Sequence, residues 1–199
     1  MPTDHSGFDP TRDIRLDSDS LRAIAHPLRV NLLSELRLHG AATASQLARR
    51  LGESSGATSY HLRQLALHGF VAEDETQGSR RERWWRSVHR YTFLDLSGDD
   101  IGDRAAGGEY LRAVARNYSA MMLRFAEDVE RVDEVYGAGW SKAYTLSDWT
   151  LQLTAAQTTQ LNEELFELLV RYRDLPADDQ ASAVKAQVQL FPLPPDPQE

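Results

Sequence analysis

Between residues 55 and 63 the chain reads Ser-Gly-Ala-Thr-Ser-Tyr-His-Leu-Arg. On a helix, Leu62 and Leu65 turn to one side, while Ser55, Ser59, Tyr60 and Arg63 fall together on the other. A small polar face of this kind suits DNA, because a major groove about 12 Å wide admits one helix and presents base edges to it. The fork of Arg63 matches the two acceptors of guanine, which makes it the candidate base contact; Ser59 and Tyr60 suit bases or phosphates. Gly56 and Ala57 keep the N-terminal end of the helix small, where a phosphate would meet the helix dipole. Arg80 and Arg81 stand at the tip of a predicted hairpin, placed for phosphate or narrow-groove contacts. Arg49 and Arg50 are candidates for backbone contacts from the preceding helix.

Other chemistries find little support. There is no Gly-rich phosphate loop, nucleophile elbow or metal-ligand spacing, so no catalytic residue is assigned and an enzyme is not expected. Cysteine is absent, which removes disulfides, thiolate metal sites and cysteine nucleophiles. All six histidines lie within residues 1–89 without a motif partner. The acidic cluster Glu127, Asp128, Glu130, Asp133 and Glu134 has no histidine near it and reads as a solvated helix face, so neither metal nor cofactor is expected. His61, beside the polar face, reads as a packing residue. Trp84 and Trp85 alternate along a strand, one for the core and one for the surface or an interface.

Charge divides along the same line. The whole chain carries −8, but residues 21–92 hold eleven arginines against six acids, while residues 93–199 hold nine basic residues against nineteen acids. A basic module joined to an acidic one predicts that the first meets a polyanion and the second does not. No run of eighteen apolar residues suggests a membrane span, and the polar start of the chain lacks the apolar core of a secretory signal; a cytoplasmic protein is expected.

The elements that must position these residues are legible as a pattern. Residues 1–17 read as a disordered arm. A first helix, capped by Ser18 or Asp17, runs to Ala25, where His26-Pro27 interrupts it. A second carries Leu28, Leu32, Leu33 and Leu36 and stops at Gly40. Thr43 and Gln46 form a capping box for a short third helix closed by Gly52. A fourth runs from about Ser55 to His68, and two strands, 70–75 and 81–88, form an Arg-tipped hairpin. The order is that of a winged helix-turn-helix, over residues 18–96. A linker at 97–108 leads to a second domain, 109–192, read as helix (109–136), strand (149–153), helix and strand (184–190), followed by a tail at 193–199. The fold class expected is α+β and mostly helical.

The segments IAHPLRVNLLSEL, ATASQLARRLG, GATSYHLRQLALHGFV and SRRERWWRSV resemble the ArsR-like family of bacterial transcriptional regulators, in order over about 70 residues. The second half is similar to the C-terminal extension of an actinobacterial subgroup, with its Asp-Trp-Thr-Leu-x-Leu-Thr strand and closing Leu-Phe-Pro. The resemblance implies a homodimer that binds a palindromic double-stranded DNA operator and represses transcription, with the first helix flanking the dimer interface. Metal sensors of the family use cysteines in the third helix or Asp and His pairs in a C-terminal helix. The third helix here, Ala44 to Arg50, offers no such ligand, so thiolate metal sensing is not expected and the effector is open.

Two readings of the second half stand side by side. Tyr118, Met121, Met122, Phe125, Trp140, Tyr144 and Trp149 line an apolar pocket for a small-molecule effector, or they are simply the core of an αβαβ domain. The long helix at 109–136 packs within its own domain, dimerises, or does both. A rival for the whole chain is a winged-helix protein-interaction module or scaffold without DNA binding.

Overall fold

The computed structural model describes residues 8–77, 82–94, 104–176, 179 and 181–194. The chain divides into two compact units, one over Asp9–Ala126 and one over Glu127–Glu199. It is mostly helical, with small sheets confined to the first unit.

The first unit runs β1 (Asp13–Arg15), α1 (Ser18–Ile24), α2 (Pro27–His39), β2 (Ala42–Thr43), α3 (Ala44–Leu51), α4 (Ser55–Leu67), β3 (Val71–Glu73), β4 (Trp84–Ser87), β5 (Tyr91–Phe93) and α5 (Arg104–Asp128). The starts of α1 to α4 each have a side-chain cap that satisfies an orphan amide. Asp17 accepts from the Ser20 amide at 2.8 Å, and His26 Nδ1 accepts from the Leu28 amide at 3.1 Å, with Pro27 in the first turn. Thr43 and Gln46 make the reciprocal pair expected of them, at 3.2 and 2.8 Å. Gly52 ends α3 at φ 69°, a left-handed conformation that a Cβ would strain.

Leu21, Ile24, Leu32, Leu47, Leu62, Leu65 and Phe70 are fully buried and join α1 to α4 in one core. β2, β4 and β3 form an antiparallel sheet in that order, with Ala42 opposite Trp85 and Val71 opposite Ser87. Trp85 is the core member of the tryptophan pair; Trp84 is half-buried. The hairpin strands are shorter than the 70–75 and 81–88 expected.

Residues 1–17 are not wholly a disordered arm. β1 pairs in parallel with β5, Asp13 opposite Tyr91 and Arg15 opposite Phe93, and Leu16 and Asp13 are buried. Backbone bonds join the segment to β5: the Leu16 amide donates to the Phe93 carbonyl at 2.9 Å and the Arg90 amide to the Arg12 carbonyl at 2.7 Å. Arg37 braces the β5 side, donating to the His89 carbonyl at 3.0 Å and to Thr92 Oγ1 at 2.8 Å, with the Asp13 charge supporting it. A polar composition hid this attachment. The 97–108 linker also overreaches, since α5 already begins at Arg104, with Ala106 and Gly107 buried; residues 97–103 lie outside the described residues. Ala106, Tyr110 and Ala113 join the core, and Asn117 donates to Asn31 at 3.0 Å. The buried face of α5 is thus set by positions 106, 110, 113 and 117, and Leu111 is exposed.

In the second unit the single helix expected to 136 breaks. A 3₁₀ turn at Val129–Arg131 leads into α6 (Val132–Tyr136), a second 3₁₀ turn covers Trp140–Lys142, and α7 spans Ala155–Arg173. The capping box of Thr154 and Gln157 starts α7 as the sequence predicts, at 3.2 and 2.9 Å. The two strands expected at 149–153 and 184–190 are not formed: neither segment pairs with another among the described residues. Alternation supplies a strand's faces but not its neighbour, and a lone extended segment gains no ladder.

Candidate nucleic-acid interface

α4 begins at a cap one residue earlier than the polar face: Ser54 Oγ accepts from the Ala57 amide at 3.1 Å. Thr58, Leu62 and Leu65 are fully buried against the core, which fixes the rotation of the helix. That rotation leaves Ser55, Gly56 and Arg63 exposed, Tyr60 52% exposed and Ser59 half-buried. Five of the predicted contact residues therefore share one outward side of a single helix. A Cβ at Gly56 would meet nothing of its own chain, so its smallness serves no internal packing. Ala57, by contrast, packs against the core and does not belong to the outer face.

α3 holds Arg49 and Arg50 in its last turn, both exposed. Arg50 is engaged: its guanidinium lies 3.9 Å from the buried Glu35 carboxylate, which His39 also approaches at 3.7 Å. Arg80 and Arg81 lie outside the described residues. The strands that lead to them are held at Glu73 and Arg83, which pair at 3.1 Å, and by the Arg83 guanidinium, 5.7 Å from the centroid of the Trp85 ring.

Sequence reasoning missed the cluster beneath α4. The rings of His26 and His61 stack at 4.3 Å, and Arg29 donates from Nε to His61 Nδ1 at 3.3 Å and from its other arm to the Ala23 carbonyl. Tyr60 meets His61 edge-on at 5.1 Å. Burial lowers both imidazole pKa values, and the neighbouring cationic groups lower them further. Neutral His61 is thus the acceptor that ties the middle of α4 to α2. The nearness of Arg29 and His61, 32 residues apart in sequence, leaves no local signal to read.

Two short helices with a tight connection, the second presenting a polar face, followed by an antiparallel hairpin, decide the architecture. Residues 24–74 match the helix-turn-helix domain family. The match runs from the end of α1 to just past β3 and so contains α2, α3 and α4 whole. No curated protein was found to match the chain. Within the helix-turn-helix, α4 stands in the second, recognition position, the one that carries base contacts in this architecture.

The residues proposed for an effector pocket are not gathered into one unit. Tyr118, Met121, Met122 and Phe125 are half-buried on α5 in the first unit, whereas Trp140, Tyr144 and Trp149 belong to the second. Tyr144 and Trp149 are exposed. No helix among the described residues is long and apolar enough to cross a membrane.

Proposed function

We propose that this chain is a sequence-specific DNA-binding transcriptional regulator of ArsR-like type: a homodimer that represses by occupying a palindromic operator and that does not sense metal through thiolates. The observation that carries the reading is the outward side of α4, where Ser55, Gly56, Ser59, Tyr60 and Arg63 stand clear of the core that Thr58, Leu62 and Leu65 fill. Arg63 reads a guanine edge, Ser59 and Tyr60 contact bases or phosphates, and the amide end of α4 at Ser55 and Gly56 receives a phosphate. Arg49 adds a backbone contact. Arg50 joins it only at the cost of its attraction to Glu35. Arg80 and Arg81 at the hairpin tip follow the backbone or the narrow groove.

Dimerisation follows from area. Specific protein–DNA interfaces bury about 1,000–2,500 Å² of protein surface, and one recognition helix with one hairpin supplies the lower part of that range. Two copies reading half-sites about 34 Å apart supply the rest.

A mobility-shift titration with duplexes from the region upstream of the protein's own gene tests this reading. A discrete complex that survives non-specific competitor is expected. A chain that ignores duplexes even in dilute buffer is an interaction module instead.

A further inference from the structure

The second unit exposes an unusual amount of apolar surface. From Leu146 to Leu193, thirteen large apolar side chains stand between 37% and 79% exposed, Trp149 the most. At about 150–250 Å² for a fully exposed aromatic side chain and somewhat less for an aliphatic one, these amount to roughly 1,000 Å² or more of exposed apolar side chain in this unit. None of the 19 residues of α7 is buried, although Leu161, Leu165, Leu168 and Tyr172 follow the spacing of a core-facing stripe. In proteins most of a helix's stability comes from packing such a stripe.

The segments that flank α7 in sequence carry the second half of the observation. Trp149, Leu151 and Leu153 alternate with Thr150 and Gln152, and all five are exposed. Among the described residues, the backbone of 149–153 makes no hydrogen bond to another segment. Val184, Ala186, Val188 and Leu190 alternate in the same way. The chain thus holds two apolar segments with strand patterning, and among the described residues neither is paired into a sheet. An edge of this kind is a template for pairing with another chain.

We propose that a second copy of this chain completes the unit, the two copies adding the segments 149–153 and 184–190 to a shared sheet that α7 covers. A second copy fits better than a foreign protein for three reasons. The apolar area matches the roughly 800 Å² per partner that a stable dimer needs, and its composition is that of a core cut in half, as in obligate assemblies. The segments 149–157 and 181–194 carry one charge between them, Lys185, so acidic units meet there without repulsion. Two strand-patterned segments in one chain also allow a two-fold axis to pair both at once. The proposal deepens the dimer of the proposed function by assigning where the copies meet, but it does not depend on DNA binding.

The full chain is studied by sedimentation from sub-micromolar to tens of micromolar concentration, alongside amide hydrogen exchange. A dimer is expected, with amides of 149–153 slowed at least about tenfold relative to an unstructured peptide and losing that protection on dilution to monomer. The double substitution Trp149→Asp and Leu151→Asp should give a monomer in which α2–α4 keep their protection. A chain that stays monomeric, or a dimer whose 149–153 amides exchange freely, or a doubly substituted chain that remains dimeric, overturns the proposal. A dimer that shows this protection and yet ignores duplex DNA leaves the proposal standing and refutes the DNA-binding reading alone.

Discussion

Arg29 donates from Nε to Nδ1 of His61 at 3.3 Å, which requires that the imidazole be neutral at that nitrogen. The contact spans α2 and α4 and sits directly behind Tyr60, so the protonation of one buried-side ring bears on the set of α4. Burial is the main cause of the lowered pKa values of both His26 and His61, and the charge of Arg29 adds to it.

The pH dependence follows in sign. A histidine whose folded pKa lies below its ordinary value of 6.5 contributes stability that is whole above 6.5 and is lost as pH falls through the folded pKa. His89 is shifted in the same direction by its burial and by Arg37. Thermal unfolding of the first unit should therefore fall in midpoint between pH 7 and pH 5, above the range where Asp17, Asp74 and Asp133 titrate. His61→Asn should flatten that slope in part, leaving the share of His26 and His89. A midpoint unchanged over this interval would show that the rings are not neutral in the fold.

Arg37 braces β5, the strand on which the N-terminal strand β1 pairs. Its burial pulls the guanidinium pKa down to about 10, yet it stays charged at neutral pH and donates to β5 and the turn before it. Arg37→Met removes two charge-assisted hydrogen bonds and leaves the Asp13 carboxylate buried without its countercharge, a loss of about 3 kcal/mol. Urea unfolding should register that loss, and trypsin should cut at Arg12 and Arg15 faster than in the wild type. Equal cutting rates would mean that β1 is held by something else.

Local sequence rules reached far in the first unit, because its signals lie within a few residues of each other. Thr43 with Gln46, Pro27 after His26, and Gly52 after Leu51 each fix a helix end by short-range chemistry. The rotation of α4 was legible from Thr58, Leu62 and Leu65 alone. The attachment of β1 was not, because its pairing partners, Tyr91 to Phe93, lie far away along the chain. In the second unit the Thr154–Gln157 cap was legible, but the strands expected at 149–153 and 184–190 are not formed, since alternation marks a residue for a sheet without supplying its neighbour.

The cap of α3 tests how far positioning matters. Thr43→Ala breaks the reciprocal pair with Gln46 and should cost about 1 kcal/mol, and Gly52→Ala forces a Cβ into a left-handed position for a similar cost. Neither Thr43 nor Gly52 is among the outward side chains of α4. Chemical denaturation should show the loss, and at temperatures where each variant stays folded its affinity for a duplex should remain near that of the wild type. A large drop in affinity with unchanged stability would assign Thr43 or Gly52 a contact with DNA.

The hairpin should supply charge without sequence preference. Replacing Arg80 and Arg81 by Ala removes up to two phosphate contacts, which should weaken all duplexes alike and reduce the slope of log affinity against log salt by about 1.8. Binding isotherms at several salt concentrations measure the slope. A double variant with the salt dependence of the wild type would remove the hairpin tip from the interface.

The most direct measurement is the affinity of wild type and Arg63→Ala for a duplex selected by the protein and for the same duplex with each base pair exchanged in turn. Arg63→Ala should lose about 1–3 kcal/mol on the selected duplex and become indifferent to one base pair in each half-site, while its binding to unrelated DNA changes little. Equal affinity of the two proteins for every duplex would show that the exposed side of α4 does not read DNA.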